Sequence, residues 1–266
     1  MYKAVICDLD GTLLNSKHTI SEYTKSVISK VHEKGIKIFI ATGRHHKDAV
    51  AFKNMLGLDS FLITSNGAKI HDEHDNEIFS HNIPVDLTKD IISLPVDKEV
   101  HKNIYQNDLW FVEDHLEEAV EFHKESGFTY IKKDFKNLIG EEVTKFFFIC
   151  EDTEKIRILE EDIIENFKGR LNVTLSLPSC LELMQRGVSK GTAIKEVLSR
   201  EGIKVEEAIA FGDGLNDLEM LSTVGKGLIM GNCNYKLSEA LPENEVIHTN
   251  DEDGVAKYLT EMFLNK

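Results

Sequence analysis

Asp8-Leu9-Asp10-Gly11-Thr12 follows directly on an apolar stretch, residues 2–7. On extended backbone, side chains at i and i+2 point the same way, so the two carboxylates can converge on one ligand. Gly11 permits a sharp exit from the strand. Two acids at the end of a buried strand are costly unless a cation or a function holds them. A solvated acidic loop is the plain alternative. A calcium loop fails, because Thr12, Leu13 and Thr19 stand where an EF-hand needs an oxygen ligand, Gly and Glu.

Three further pieces carry chemistry-capable residues. Thr42-Gly43 offers a hydroxyl and a loop N–H that can hold phosphate oxygens, though by itself it is an ordinary turn. Ser189-Lys190-Gly191-Thr192 sets a lysine at the start of a helix, where it adds charge to the positive end of the dipole. It lacks the GxxxxGK[ST] pattern of a Walker A loop, and alone it reads as a surface lysine. Gly212-Asp213-Gly214-Leu215-Asn216-Asp217 adds two acids and an amide. It does not match GxGxxG, which disfavours a dinucleotide site, and an acidic helix cap is its simplest reading.

The elements that must position these pieces alternate. YKAVIC, IKIFIA and FLIT are short apolar runs that read as buried parallel strands. Between the first two, Thr19 and Glu22 fit a capping box, Val27, Ile28 and Val31 mark an apolar helix face, and Gly35 suits its end. A second helix is expected up to about residue 56. The pattern returns after residue 184: a helix from Ser189, the strand EEAIAF, a helix over Leu218 to Leu221, the strand GKGLIM and a C-terminal amphipathic helix. Strand–helix alternation of this kind predicts an α/β fold with a doubly wound parallel sheet. Ligands bind such sheets at the strand C-terminal edge, where all four pieces fall.

The middle of the chain reads differently. Asn107-Asp108 separates HKNIYQ from LWFV as a hairpin turn. VTKFFFIC is a strand, TEKIRILEEDIIENF a helix, and LNVTLSL and CLELM a strand pair. About a hundred residues of mixed α+β are enough for a domain of their own. Phe146, Phe147 and Phe148 are expected in its core. Tyr105 and Trp110 suit either the core or a pocket.

The chain has 266 residues and is 41% hydrophobic, enough to build a core. Its formal net charge of −15 disfavours nucleic acid and anionic membranes as partners. Any phosphate site must then be locally positive. Cys7, Cys150, Cys180 and Cys233 are far apart and fit free thiols in a reducing compartment. No apolar run approaches the roughly 20 residues of a membrane span, and the N-terminal stretch is too short for a secretory signal. The expectation is a soluble cytoplasmic protein. His45, His46, His71 and His74 are expected at the surface, and Arg44 has no assigned role.

Taken together, the four pieces resemble the signature of the haloacid dehalogenase superfamily: DxDGT, then Ser/Thr, then Lys, then GDxxND. Only about 30 residues separate the first two motifs here, so the insert falls between the second and third. With ATGR, SNGA, VSKG and FGDGLND as written, the chain is similar to the Cof-type subfamily, class IIB. The resemblance implies a Rossmann-like core (1–81 and 184–266) and an inserted α+β cap domain of C2B type (82–183). It also implies a Mg²⁺-dependent phosphatase acting on small-molecule phosphate monoesters, with no obligate protein partner. Bacterial enzymes of similar sequence act on pyridoxal phosphate and sugar phosphates.

The same resemblance suggests the roles. Asp8 would be the nucleophile that forms an aspartyl-phosphate, and Asp10 the general acid and base. Asp8, the Asp10 carbonyl and Asp213 would bind Mg²⁺. Lys190, Thr42, Asn216 and the N–H groups of Leu9 and Gly43 would hold phosphoryl oxygens. Asp217 would orient Lys190 or a metal-bound water. The remainder of a substrate would be read by the insert. A phosphomutase of the phosphomannomutase type and a non-catalytic phosphometabolite sensor are the competing readings.

Overall fold

The computed structural model describes residues 1–116 and 122–265. Two sheets organise it. The larger begins with β1 (Ala4–Cys7), buried along its whole length. Val5 and Cys7 enter one core while Ala4 and Ile6 enter another, because successive strand side chains face opposite ways. A strand covered on both faces must be apolar throughout, as AVIC is.

The strands β2 (Lys37–Ala41) and β3 (Leu62–Thr64) extend the sheet on one side of β1. On the other side, β12 (Ala208–Gly212), β13 (Lys226–Ile229) and β14 (Glu245–Val246) extend it. All of these pair in parallel. An antiparallel hairpin, β4 (Lys69–His71) and β5 (Glu77–Ser80), completes eight strands. The chain therefore leaves β1 to one side first and returns to its other side late. This puts the crevice of a doubly wound sheet between β1 and β12.

Helices cover both faces. α1 (Glu22–Glu33), α2 (His46–Met55) and α8 (Gly254–Leu259) pack Val27, Ile28, Phe52, Val255 and Leu259 into one core. α5 (Lys190–Arg200), α6 (Leu218–Thr223) and α7 (Tyr235–Ala240) pack Ile194, Val197, Met220 and Leu237 into the other. The start of α1 differs from the expected capping box. Ser21, not Thr19, accepts the N–H of Thr24, while Thr19 binds the side chain of Asn15. Asn15 thus claims Thr19 for the preceding turn. Gly35 ends the helix in a left-handed conformation (φ 83°), as expected.

Residues between the hairpin and α5 build a six-stranded sheet. In chain order its strands are β6 (His101–Gln106), β7 (Leu109–Val112), β8 (Ile131–Lys132), β9 (Lys145–Ile149), β10 (Leu171–Leu177) and β11 (Cys180–Gln185). One face carries α3 (Val85–Ile92) and α4 (Thr153–Phe167) over Ile104, Phe146, Phe148, Leu181 and Leu183. The other face presents Tyr105, Trp110 and Phe147 as a separate aromatic cluster. The run Phe146–Phe148 is therefore core, as its composition suggests, but it divides between the two faces. No described helix is long and apolar enough to cross a membrane.

One contact sets the position of α5. A Cβ on Gly191 would lie 2.7 Å from the backbone carbonyl carbon of Glu219 in α6. In an open helix, Gly→Ala stabilises by about 1 kcal/mol. Here overpacking, at roughly 1–3 kcal/mol, outweighs that gain because the obstacle is backbone. Gly191→Ala is expected to lower the Tm in a thermal melt. An unchanged or higher Tm would mean the two helices can separate without loss.

Candidate functional site

The C-terminal ends of β1, β2 and β12 meet at one edge, and the four sequence pieces meet there with them. Asp8 directly follows β1, with its side chain almost wholly buried. The Lys190 Nζ donates to Asp8 Oδ1 at 2.7 Å and to Asp217 Oδ1 at 2.6 Å. Lys190 comes from the first turn of α5, whose start is fixed by a reciprocal cap between Ser189 and Thr192. The lysine is fully buried, so it is not the surface residue its motif alone suggested. Gly67, with φ 92°, lets the end of β3 approach this point: a Cβ there would sit 2.3 Å from the Ser189 carbonyl oxygen.

Asp217 uses its other oxygen to accept the N–H groups of Asp213 (2.9 Å) and Gly214 (3.0 Å). It is occupied by Lys190 and by its own loop. Asp213 accepts the Thr12 hydroxyl at 2.8 Å. Carboxylate oxygens of Asp8, Asp213 and Asp217 lie within 4.8 Å of one another. Burial raises Asp8 well above the ordinary carboxylate range; Lys190 pulls the other way, and Asp217, Asp213 and Asp10 add to the rise. Burial, then Asp217, pushes Asp213 up to about 7. For Lys190 itself, burial disfavours the charge, but Asp217 and Asp8 outweigh it and raise the ammonium above its usual value.

Asp10 is held from a different direction. Arg44 Nε donates to Asp10 Oδ2 at 2.7 Å, and Nη2 to Oδ1 at 2.6 Å. The third contact of this guanidinium, Nη1 to Asp48 Oδ2, is 2.9 Å. Arg44, without a role from sequence, is thus the main partner of the second acid. Its target is 34 positions away in the chain, and only the meeting of two strand ends creates the pair.

Asp8, Asp10, Gly43, Asp213 and Asn216 line one cavity of about 240 Å³. Lys190 and Asp217 lie behind it. Thr42 is also buried, its hydroxyl accepting the Arg44 N–H at 3.1 Å, and Leu9 is a core residue between the two acids. Asn216 donates its amide to Asn66 Oδ1 at 3.1 Å.

The six-stranded sheet turns its aromatic face to the same cavity, so Tyr105 and Trp110 are both core and pocket wall. Two charged residues of that face were not found from sequence. Lys145 Nζ donates to Glu182 Oε1 at 2.5 Å and to the Gly43 carbonyl at 2.6 Å. Glu182 also accepts the Asn66 amide at 2.6 Å. The available signal was a single charge in each of two apolar strands, Lys145 at the start of KFFFI and Glu182 within CLELMQ, since an unsolvated charge in a core strand requires a partner.

The histidines correct the surface expectation, except for His74. His45 is buried; its Nδ1 accepts the Lys47 N–H, so Nε2 donates to the Asn107 carbonyl at 3.0 Å. Burial lowers its pKa to about 4. His46 stacks on His71 with ring centroids 3.6 Å apart, and burial lowers His71 to about 3. The start of α2 lies under the β6–β7 turn and beside β4, which removes these rings from water.

Known proteins share this sequence pattern and fold. A family model described as haloacid dehalogenase-like hydrolase matches residues 5–259. A Haemophilus influenzae protein whose given name is that of a phosphatase is 38% identical, over 98% of this chain and 97% of its own. The HMP-PP phosphatase of Yersinia pseudotuberculosis is 31% identical, over 97% and 94%. Among solved structures, a haloacid dehalogenase-like hydrolase from B. subtilis superposes with TM-score 0.86 at 26% identity, covering 98% of this chain and 100% of its own. A HAD subclass IIB sugar phosphatase gives TM-score 0.84 at 26% identity, with 98% of both chains covered.

Removing Lys190 would leave Asp8 and Asp217 buried without their shared cation. Breaking a buried ion pair from one side costs about 3–5 kcal/mol. Lys190→Ala is expected to lose that much unfolding free energy in a urea titration. A loss below about 1 kcal/mol would show that the carboxylates relieve the imbalance by taking up protons.

Proposed function

The chain belongs to the haloacid dehalogenase-like hydrolases and is a phosphatase, and from that premise we propose that it hydrolyses small phosphate monoesters through an aspartyl-phosphate on Asp8. The observation that carries this reading is the asymmetric setting of the two acids. Asp8 has Lys190 behind it and one oxygen left toward the cavity, while Asp10, two residues on, is held by Arg44.

In the first step a carboxylate oxygen of Asp8 bonds to phosphorus as the bond to the ester oxygen breaks. Asp10, entering this step as the carboxylic acid, gives that leaving oxygen its proton and is left as the carboxylate. In the second step Asp10 takes a proton from water, the water oxygen bonds to phosphorus and the bond to Asp8 breaks, releasing inorganic phosphate. Lys190 offsets the negative charge on Asp8, and the N–H groups of Leu9 and Gly43 with Thr42 and Asn216 would hold the phosphoryl oxygens.

The buried acids also fit a divalent cation. Asp8 and Asp213 stand close together with raised pKa values, and Lys190 neutralises only part of their charge with Asp217. Asp217 is already spent on Lys190 and two N–H groups, which leaves Asp8, the Asp10 carbonyl and Asp213 to hold Mg²⁺. When bound, the ion would reduce the repulsion between an anionic nucleophile and an anionic ester.

For the substrate, Tyr105, Trp110 and Phe147 offer flat apolar walls, and the Lys145–Glu182 pair offers one donor and one acceptor. This suits a compact phosphate with a ring and a polar edge, such as pyridoxal phosphate or a sugar phosphate. The structural relative named a sugar phosphatase supports the sugar-phosphate part of this range. We assign residues 82–183 as the cap that reads this part, over a core of 1–81 and 184–266.

Two outcomes are expected. Purified protein with Mg²⁺ should release inorganic phosphate from such esters without a bisphosphate activator, and Asp8→Asn should reduce release to background while circular dichroism is unchanged. Substantial activity in that variant would remove the covalent route; transfer of phosphate to a second hydroxyl would favour a mutase. Independently of turnover, Mg²⁺ at 100 times its Kd should stabilise the fold by about 2.7 kcal/mol. That is several degrees in Tm, and Asp213→Ala should abolish the increment. A wild-type Tm indifferent to Mg²⁺ and chelator would refute this metal site.

A further inference from the structure

Asp48 is a fully buried carboxylate in the first turn of α2, outside the four motifs. It never touches the cavity. One oxygen accepts Arg44 Nη1 at 2.9 Å and also His123 Nδ1 at 2.7 Å; the other accepts the Ser126 hydroxyl. A carboxylate is acceptor-only when ionised, so His123 Nδ1 is the donor. Burial works against the charge on Asp48, but the His123 hydrogen bond and Arg44 outweigh it and hold the carboxyl below its usual range.

His123 and Ser126 belong to the inserted segment, whereas Asp48, Arg44 and Asp10 belong to the parallel-sheet part. Phe122, next to His123, places its ring 4.4 Å from the Arg44 guanidinium carbon. The insert therefore grips Arg44 twice, directly by its ring and indirectly through Asp48. Arg44 in turn has both oxygens of Asp10. A planar guanidinium bound on two edges has little rotational freedom, so the plane of Asp10 is fixed by what holds the far edge.

If the insert swings away, Arg44 is the side-chain partner that Asp48 keeps among the described residues. Water then takes the places of His123 and Ser126 as a mobile donor, and the far edge of the guanidinium that Asp10 uses is no longer fixed. We propose that His123 and Ser126 are positioning residues, coupling closure of the insert to the orientation of Asp10 through Asp48 and Arg44. Chemistry at Asp10 is then competent only under a closed cap. This rests on the reading of Asp10 as the proton donor, and the experiment separates the two.

The test uses single-turnover phosphoenzyme formation with two esters. An alkyl phosphate needs a proton on its leaving oxygen; p-nitrophenyl phosphate scarcely does. General acid catalysis is worth about 10²–10⁴-fold. Misorienting Asp10 should forfeit part of that, so His123→Ala/Ser126→Ala is expected to slow the alkyl ester roughly tenfold or more, and the aryl ester less than about threefold. His123→Asn, whose amide N–H can stand in for Nδ1, should restore most of the alkyl rate in the Ser126-intact protein. Equal losses on both esters would mean a contact with substrate or a general loosening of the cap. That result, no loss at all, or no rescue by Asn beyond the His123→Ala rate would each overturn the coupling. Asp10→Asn run beside them tests the premise: if it too slows both esters equally, the proton-donor reading fails, and the coupling with it.

Discussion

Everything in this molecule is arranged around Lys190, a fully buried ammonium shared by Asp8 and Asp217. Burying three charges is unfavourable unless each finds its partners. The fold meets that condition through contacts that tolerate no side chain. Gly67 admits the Ser189 carbonyl and Gly191 admits the backbone of α6. Gly212 leaves room for Asp217, where a Cβ would lie 2.5 Å from its carboxyl carbon. The result is a fixed cation behind Asp8 that is in place before any ligand arrives. Preorganised charge of this kind costs no rearrangement at the moment of reaction.

The two acids of the first motif are chemically alike and two residues apart, yet their surroundings diverge. Asp8 points back into a buried, acid-rich recess against a lysine from α5. Asp10 points outward to an arginine from the loop after β2. An extended backbone aims both carboxylates toward the same region. It does not decide which cation meets which. That is decided by the strand order, with β12 and its acidic loop on one side of β1 and β2 with Arg44 on the other. Different environments for neighbouring titratable groups are what permit different roles in one reaction.

The inserted sheet is built on the same economy. Its described helices α3 and α4 pack on one face; on the other, His123, Phe128 and Tyr130 of the same segment lie against Trp110, and the edge of the parallel sheet that carries the acids meets this face at the cavity. Lys145 reaches the Gly43 carbonyl, Glu182 reaches Asn66, and the Asn107 carbonyl accepts from His45. Each bond joins the insert to a residue beside the acids. The aromatic face thus serves twice: it buries apolar area and it walls the cavity.

The sequence by itself determined the α/β pattern, the strand ends that carry Asp8, Thr42 and Asp213, and the separate strand pattern of the middle of the chain. These are local properties: apolar runs of strand length, turn residues, and acids where a strand stops. It also determined which residue types were available for chemistry. Only the tertiary structure decided the partners. Arg44 acquired Asp10, and Lys190 turned from an apparent surface residue into a buried one. Lys145 and Glu182, invisible as a motif, met across neighbouring strands on the aromatic face. His45 and His71 went inside because the insert and the hairpin cover them, which no local pattern encodes. The physical reason is the same in each case. A charge or ring is committed by what arrives from a distant part of the chain, and the cost of leaving it unpaired in a dry interior appears only once that interior has formed.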